Sequence, residues 1–322
     1  METRDPDPDA RPLRQIAPDL RRVRAPNVSP MTHSGTNSYI LGTGDVALID
    51  PGPDDPAHLD ALLAALAPGE RIAAIIVTHR HLDHSALAPR LAARSGAACY
   101  AFAPAEATRR PIMAQLAAQA ATSAQIGGQT GGQTGGQKAG PIGGGEGHDA
   151  TFRPDVLLRD GEVLAMGDWS LTVLHTPGHT ADHLSLQSGD RVLCGDIVMG
   201  WASTLISPPD GDLTSYRNSC ARLRAARPAL LLPGHGAPVN TPAARIDDLL
   251  AHRDHREAQI LTQLARSPAT ATQITRMIYT DTPPALIPAA TRNVLAHLID
   301  LTERNKIEPQ TPLDLHSVFQ LI

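Results

Sequence analysis

Cysteine is scarce in this chain of 322 residues, which contains only three. They are Cys99, Cys194 and Cys220, and no two of them are spaced as Cys-x-x-Cys. An odd number of cysteines at such spacings argues against a disulfide framework and favours a reducing compartment.

Long apolar runs are also missing. No apolar stretch approaches the roughly 20 residues that a membrane-spanning helix needs. The N-terminus, METRDPDPDARPLRQ, is charged and rich in proline, and it lacks the apolar segment of a secretory signal. Its early aspartates argue against a transit peptide. We therefore expect a cytoplasmic protein that does not insert into a membrane.

Aromatic residues make up only 3% of the chain, whereas apolar residues as a whole make up 42%. The core must therefore be built mainly from Ala, Leu, Val and Ile. The formal net charge is −5. Such a charge gives no overall attraction to nucleic acid or to an anionic membrane.

Changes in composition divide the chain into three parts. Residues 1–26 are polar and predict a loosely held leader. Strand-like and helical patterns alternate in residues 27–240, whereas residues 241–322 show mainly helical patterns, which predicts two modules of an α+β protein. Residues 125–147 repeat Gly-Gly-Gln-Thr and have few side chains to bury, so we predict a flexible surface insertion there.

Short apolar runs mark the strands of the first module. Residues 38–41 and 46–50 flank a Gly-Thr-Gly-Asp turn and predict a hairpin. Residues 72–77 are continuously apolar, which is typical of a strand buried on both faces. Further strands are predicted at 156–158, 170–175, 183–187, 191–194 and 230–232. Helices of the tail are predicted at 243–264, 271–279 and 288–304.

The segment Thr-His-Arg-His-Leu-Asp-His-Ser, residues 78–85, follows the apolar strand 72–77. His79 and His81 lie two residues apart, and alternate side chains of an extended backbone point the same way, so both imidazoles can reach one ion. Asp83 and His84 begin the next helix and can turn toward a second ion. Two imidazoles do not complete a metal site, which for zinc has about four ligands.

Three more candidate ligands follow later strands, each next to a glycine. His179 lies in Thr-Pro-Gly-His-Thr, Asp196 in Cys-Gly-Asp, and His235 in Pro-Gly-His-Gly. Strand ends at one edge of a sheet converge, and glycine lets the backbone crowd around an ion. A carboxylate has two oxygens, so Asp196 can bridge two metal ions. His175 is expected to be structural. Seven other histidines are expected at the surface, namely His33, His58, His148, His252, His255, His297 and His316.

The spacing His-x-His-x-Asp-His, followed by these His, Asp and His positions, resembles the metallo-β-lactamase-fold hydrolase superfamily over residues 27–240. The resemblance implies a four-layer αββα sandwich with two metal ions at one edge of its sheets. It also implies how the ligands divide, with Asp196 between the ions. The first ion would be bound by His79, His81 and His179, and the second by Asp83, His84 and His235.

Two residues have candidate roles besides ligation. Asp83 can pass a proton to the leaving group, although ligation alone would also explain this residue. His183, in Thr-Ala-Asp-His, either orients a ligand or is merely part of a strand. Antibiotic-hydrolysing relatives commonly use a cysteine ligand or lack the bridging aspartate. Here Cys194 is assigned to the strand before Asp196, so the pattern is more similar to glyoxalase II, RNase Z or lactonase relatives.

The flanking segment Gly-Thr-Asn-Ser-Tyr, residues 35–39, and the start of the tail resemble the lactamase-β-like-2 subgroup. That resemblance implies a C-terminal winged-helix module, and the animal member of the subgroup cleaves single-stranded RNA. Residues 241–322 hold eight Arg and Lys against nine Asp and Glu, whereas a reader of duplex DNA needs a basic face. We therefore expect the module to pack on the first domain or to mediate homo-oligomerisation.

These observations predict a hydrolase that uses two divalent ions, with zinc as the expected metal, and a metal-bridging hydroxide. One hypothesis for its substrate is a phosphodiester of single-stranded RNA. The alternative is a thioester or lactone of a small metabolite, as for glyoxalase II. A third hypothesis, a non-catalytic regulator, fits less well because a sensor does not need an open site for two ions.

Overall fold

The computed structural model describes residues 12–129 and 147–322. Two sheets and a smaller third one carry its strands. The first sheet has seven strands in chain order, antiparallel from β1 to β4 and parallel from β4 to β7. They are β1 (Leu13–Ala17), β2 (Leu20–Arg24), β3 (Asn37–Leu41), β4 (Asp45–Ile49), β5 (Arg71–Ile76), β6 (Ala98–Phe102) and β7 (Val156–Leu158).

The second sheet has five strands in the order β12-β11-β10-β9-β8. Its members are antiparallel except for the parallel pair β11 and β12. They are β8 (Val163–Met166), β9 (Trp169–His175), β10 (Leu184–Ser188), β11 (Arg191–Gly195) and β12 (Leu230–Pro233). The predicted hairpin corresponds to β3 and β4, and the predicted strands of this region are all present.

Nine α-helices occur among the described residues. They are α1 (Pro56–Ala64), α2 (Leu82–Ser85), α3 (Ala88–Ser95), α4 (Ala105–Thr108), α5 (Pro111–Gln129), α6 (Leu213–Ala225), α7 (Pro242–Leu264), α8 (Ala271–Ile278) and α9 (Ile287–Glu303). Helix α1 shows how sequence sets a boundary. The Asp55 carboxylate accepts a hydrogen bond from the His58 backbone, and Pro56 begins the helix without needing a donor.

Three apolar layers hold the sheets and helices together. Alternate residues of a strand face opposite sides. Accordingly, Ile75 packs with α1 and α3 on the outer face of the first sheet, whereas Ile76 packs against the second sheet. In the second sheet, Leu193 faces the first sheet and Val192 packs against α6 and α7. The predicted order of layers, helix-sheet-sheet-helix, is confirmed.

The tail combines helices with a small antiparallel sheet. Strands β13 (Ala269–Thr270), β14 (Ile307–Pro309) and β15 (Val318–Leu321) pair in the order β13-β15-β14 and pack with α8 and α9. The three predicted tail helices are present, whereas the strands were not predicted because they have two to four residues. Helix α7 reaches both cores, since it begins in the layer with α6 and ends in the core of the tail. The boundary at residue 240 stays a prediction.

Three sequence-based expectations need correction. Residues 13–24 were predicted as leader but form β1 and β2, because Leu20 and Val23 are buried in the two cores flanking the first sheet. Residues 125–129 of the predicted insertion form the end of α5, and residues 130–146 lie outside the described residues, as do residues 1–11 of the leader. His58 and His297 are buried, not at the surface.

Bilayer-spanning helices are not found in the described part of the chain. None of the helices within residues 12–129 and 147–322 combines the length and the apolar character that a crossing requires.

Candidate metal centre

The predicted ligands come together at one edge of the two facing sheets. His79 and His81 follow β5, His179 follows β9, Asp196 follows β11, and His235 follows β12. Their side chains form two groups whose ligand atoms lie within 4.8 Å of one another in each group. The first group is His79, His81, His179 and Asp196, and the second is Asp83, His84 and His235.

Imidazole nitrogens of the first group point at one another. His81 Nδ1 lies 3.0 Å from His79 Nε2 and 3.0 Å from His179 Nε2. All three rings are buried, and burial is the main reason that the pKa of each lies below its ordinary value. The rings are therefore neutral at pH 7, which is the state in which imidazole binds a metal.

One oxygen of Asp196 lies between the two groups. Asp196 Oδ2 is 3.9 Å from His79 Nε2 and 3.6 Å from His179 Nε2 on one side. It is 3.6 Å from His84 Nε2 and 3.2 Å from His235 Nε2 on the other. The second oxygen, Oδ1, is buried and has no hydrogen-bond partner. This position between the groups is the one predicted for a bridging carboxylate.

In three of the candidate ligands, the ring nitrogen that points away from the centre, the outer nitrogen, faces a protein oxygen that can only accept a hydrogen bond. His84 Nδ1 donates to Asp50 Oδ2 at 2.9 Å, and His179 Nδ1 donates to the Leu205 carbonyl at 2.8 Å. His235 Nδ1 faces the Gly35 carbonyl at 3.4 Å. Carbonyl and carboxylate oxygens only accept, so the proton of each neutral ring lies on its outer nitrogen. The inner nitrogen then presents a lone pair to the centre.

Asp50 organises two of the ligands, although sequence reasoning treated it only as the end of a strand. Its carboxylate accepts the backbone N–H of Thr78 at 2.7 Å and the Thr78 hydroxyl at 2.9 Å. The Thr78 oxygen can then accept from His79 Nδ1 at 3.0 Å. Asp50 therefore orients His84 directly and His79 through Thr78. Its position just after the buried strand β4 is the signal that could have identified it.

The donor set fits two cations. The lone pair of His84 Nε2 faces the carboxylate oxygens of Asp83 and Asp196 at 3.4 and 3.6 Å, an arrangement that is repulsive unless a positive charge lies between them. Burial opposes protonation of His84, yet the Asp83 and Asp196 carboxylates raise its pKa well above the ordinary value. For His235 the same competition between burial and Asp196 raises the pKa to about 10. Without metal ions, the two imidazoles thus bind protons beside the Asp83 and Asp196 carboxylates, in the place where cations fit.

His183 supports Asp196 without joining either group. Its Nε2 accepts the backbone N–H of Asp196 at 3.0 Å, and its Nδ1 lies 3.0 Å from the Thr176 hydroxyl. Gly195 makes this contact possible, since a Cβ there would lie 2.5 Å from His183 Nε2. The orienting interpretation of His183 accounts for these contacts. Catalytic roles for His183 and Asp83 stay predictions.

Glycine is also required beside His235. A Cβ on Gly234 would lie 2.3 Å from Asp196 Oδ1 and 2.7 Å from His84 Cε1. Any side chain at this position would displace a ligand, which gives a physical reason for the Pro-Gly-His-Gly segment.

Comparisons with known proteins agree with this geometry. The model of a family described as the metallo-beta-lactamase superfamily matches residues 31–235. The chain belongs to the metallo-β-lactamase superfamily. A second model, the beta-lactamase associated winged helix domain, matches residues 270–311 and identifies the helices and small sheet of the tail as a winged-helix module.

The alignments with related proteins cover most of this chain. It is 28% identical over 312 residues to a beta-lactamase-like protein 2 homolog of Drosophila melanogaster, with 93% of each chain covered. It is 25% identical over 266 residues to an atrochrysone carboxyl ACP thioesterase of Aspergillus fumigatus, covering 80% of this chain and 68% of the relative. A beta-lactamase domain protein from Burkholderia ambifaria shares the fold, with a TM-score of 0.75, 21% identity and 96% and 93% coverage.

The loop of residues 204–206 makes two hydrogen bonds to residues of this hydrolase's metal centre. The Thr204 hydroxyl donates to the Asp196 backbone carbonyl at 2.8 Å. The next residue, Leu205, supplies the carbonyl that accepts from His179 Nδ1. The position of this loop therefore affects both a ligand of the first group and the carboxylate between the groups.

The winged-helix side of the molecule holds that loop in place. Arg253 of α7, which is 1% exposed, donates from one guanidinium nitrogen to the Thr204 carbonyl and from the other to Asn293 Oδ1 at 3.2 Å. Asn293 Oδ1, on α9, also accepts the backbone N–H of Ile206 at 3.0 Å. The C-terminal helices are thus connected to the metal ligands through two hydrogen-bond steps.

A cavity of about 380 Å³ opens onto both ligand groups. Its wall is mostly apolar. Met199, Trp201 and Leu205 line it from the first domain, and Tyr279 and Leu286 line it from the C-terminal module. The module therefore completes the cavity beside the metal centre, a role that the sequence did not predict.

Proposed function

We propose that this metallo-β-lactamase superfamily hydrolase cleaves thioesters whose acyl group is largely apolar, and that it does so with two zinc ions. The hydrolase class and the two His and Asp groups are established by the family match and the geometry. The thioester substrate and zinc are the proposed parts.

The observation that carries the proposal is the apolar cavity next to the ligand groups. Its volume lies in the range of about 300–1,000 Å³ that small-molecule sites commonly have. Apolar side chains such as Trp201, Leu205 and Leu286 can bury an acyl chain, and each buried methylene contributes about 0.8 kcal/mol. The relative from Aspergillus fumigatus, whose name describes a thioesterase of an acyl carrier protein, supports the same substrate class.

His and Asp ligands suit zinc. His79, His81 and His179 would hold one ion, Asp83, His84 and His235 the other, and Asp196 would contact both. When bound, the ions would supply an activated water and polarise the substrate carbonyl.

The protein's own side chains provide orientation and proton transfer. Asp83 has one oxygen fixed by the Thr36 hydroxyl at 3.0 Å, while its buried Oδ1 has no hydrogen-bond partner. That oxygen is available to move a proton. A thiolate leaves readily because thiols have a pKa near about 8.5, so cleavage of a thioester makes little demand on a general acid.

A second candidate is cleavage of single-stranded RNA. Trp201 and Tyr279 favour it, since aromatic side chains in a cavity can stack on bases. Against it, Arg256 is the sole Arg or Lys in the described lining of the cavity, whereas a polynucleotide needs several phosphate contacts. We also expect no binding to duplex DNA, because residues 241–322 are slightly acidic.

A panel of substrates tests the proposal. Zinc-loaded protein would be assayed on acyl thioesters of increasing chain length, single-stranded RNA, a phosphodiester reporter, a homoserine lactone and a β-lactam. We expect thioester turnover with KM falling as the acyl chain lengthens, and loss of this turnover on chelation. Turnover of RNA with no thioester cleavage would overturn the proposal in favour of the second candidate.

A further inference from the structure

We propose that Arg256 of α7 forms a subsite for an anionic group of the substrate, away from the bond that is cleaved. This inference rests on the proposed function only in placing the reacting carbonyl at the metal ligands. It defines the substrate as an amphiphile with an apolar body and a carboxylate or phosphate.

Arg256 is held in a fixed orientation. Its guanidinium carbon lies 4.1 Å from the centre of the Tyr279 ring. One terminal nitrogen donates to Gln259 Oε1 at 2.8 Å and to the Ile278 carbonyl at 3.2 Å. Stacking and hydrogen bonds together order a side chain that otherwise has many rotamers, so the entropic cost of binding an anion is reduced.

The positive charge of Arg256 has no acidic partner among the described residues. Two nearby arginines, Arg217 and Arg304, do have such partners. Arg217 pairs with Asp254 at 2.6 Å, and both Arg217 and Arg304 pair with Glu257, the residue next to Arg256. Arg256 instead lines the cavity, and its Nε is buried without a hydrogen-bond partner. Its uncompensated charge is therefore available to a ligand.

Among the described residues that line the cavity, no charged side chain competes with Arg256 at this wall. The carboxylates that line the described cavity, Asp83 and Asp196, belong to the metal ligand groups. His252 also lines it, but burial and then the nearby Arg253 lower its pKa to about 4, so it is neutral at pH 7. Once metal ions are bound, an anion that enters the cavity would thus have two positively charged destinations, the metal centre and Arg256.

The planar guanidinium fork matches carboxylate and phosphate equally well. The anion can therefore come from the acyl part, as a terminal carboxylate, or from the thiol part, as a phosphate. The chemistry of recognition is the same, and substrates that carry the anion on one part only distinguish the two.

The test compares thioesters that carry this anion on the acyl part, on the thiol part or on neither. Three substrates are compared on zinc-loaded protein: hexanoyl and adipoyl thioesters of the neutral thiol N-acetylcysteamine, and the hexanoyl thioester of phosphopantetheine. Arg256→Met is compared with Arg256→Lys and with a control, Arg276→Met, at an exposed position of α8. We expect Arg256→Met to raise KM about 10- to 100-fold for one of the anionic substrates, as is typical when an arginine contact to an anion is lost.

The same variant should leave KM for the neutral substrate, and kcat for all three, nearly unchanged. Arg256→Lys should recover part of the loss, and the control should behave like the parent. An equal loss with neutral and anionic substrates, or no loss with either, would overturn the inference.

Binding of non-hydrolysable thioether analogues keeps the subsite separate from the reaction. Calorimetric titration of the neutral and anionic analogues needs no turnover. If the parent cleaves no thioester but prefers an anionic analogue, and Arg256→Met abolishes that preference, the proposed reaction fails and the subsite stands. If thioesters are cleaved, but Arg256→Met and the parent show the same relative affinity for anionic and neutral analogues, the subsite fails and the reaction stands.

Discussion

Replacing Arg253 with methionine tests whether the C-terminal helices position the metal ligands. Arg253→Met keeps an apolar stem of similar length but removes the hydrogen bonds to the Thr204 carbonyl and to Asn293. The loop of residues 204–206 then loses its main contact with α7.

Two effects on stability oppose each other in this variant. Each hydrogen bond from a charged donor contributes about 1.5–3 kcal/mol. Against this, the guanidinium is buried and has no acidic partner within residues 12–129 and 147–322, and desolvating such an ion costs several kcal/mol. We therefore expect the free energy of unfolding of the metal-free protein to change by no more than about 2 kcal/mol.

Metal affinity should change more clearly than stability. The loop supplies the Leu205 carbonyl that orients His179, and loss of such an outer partner typically weakens metal binding about 10- to 100-fold. That factor corresponds to about 1.4–2.7 kcal/mol. Competition with a chromophoric zinc chelator measures it. Arg217→Met is the matched control, because Arg217 pairs with Asp254 and Glu257 rather than with this loop.

Two outcomes would refute the reasoning. Unchanged zinc affinity in Arg253→Met would mean that the loop does not depend on α7. An equal loss of affinity in Arg217→Met would mean that general destabilisation, not the hydrogen bonds to the loop, is responsible.

Other substitutions give further predictions. Asp196→Asn should reduce bound zinc from two ions to one by elemental analysis and lower turnover at least about a thousandfold, whereas Cys194→Ser should change neither; the reverse pattern would disprove the aspartate bridge. Gly234→Ala should weaken zinc binding with the fold retained in circular dichroism, because its Cβ would lie 2.3 Å from Asp196 Oδ1. Burial lowers the pKa of His58 to about 4. Between about pH 6.5 and 4, His58 is therefore protonated in the unfolded chain but neutral in the folded protein. Stability in chelator should therefore fall by up to about 3 kcal/mol between pH 6.5 and 4, and urea titrations of His58→Gln should lack this part of the decline.

Sequence alone was sufficient to predict which residues come together in the two groups, and His79, His179, Asp196 and His235 were noticed because each follows an apolar strand. The resemblance to the superfamily also predicted the layered fold. Asp50 escaped prediction because its one signal, the position just after β4, does not distinguish it from other strand-end carboxylates until Thr78 and His84 are seen beside it.

Features that depend on distant contacts were predicted least well. The strand β2 was missed because three of its five residues are arginines. Its two apolar residues, Leu20 and Val23, are both buried. His58 is buried through its contact with Ser38 at 2.9 Å, which lies 20 residues away in the sequence. The cavity wall formed by Tyr279 and Leu286 depends on how α7 directs the tail, and no local pattern encodes that direction.

Helix α7 has a consequence for how the chain unfolds. Ile246 and Leu249 of its first turns are buried with the second sheet, whereas Ile260 and Leu264 of its last turns are buried with α8 and α9. Backbone hydrogen bonds along one continuous helix connect these two sets of residues. Loss of either core would leave half of the helix without packing, and isolated helical turns are only marginally stable in water. We therefore expect the two apolar cores to unfold together as one cooperative unit.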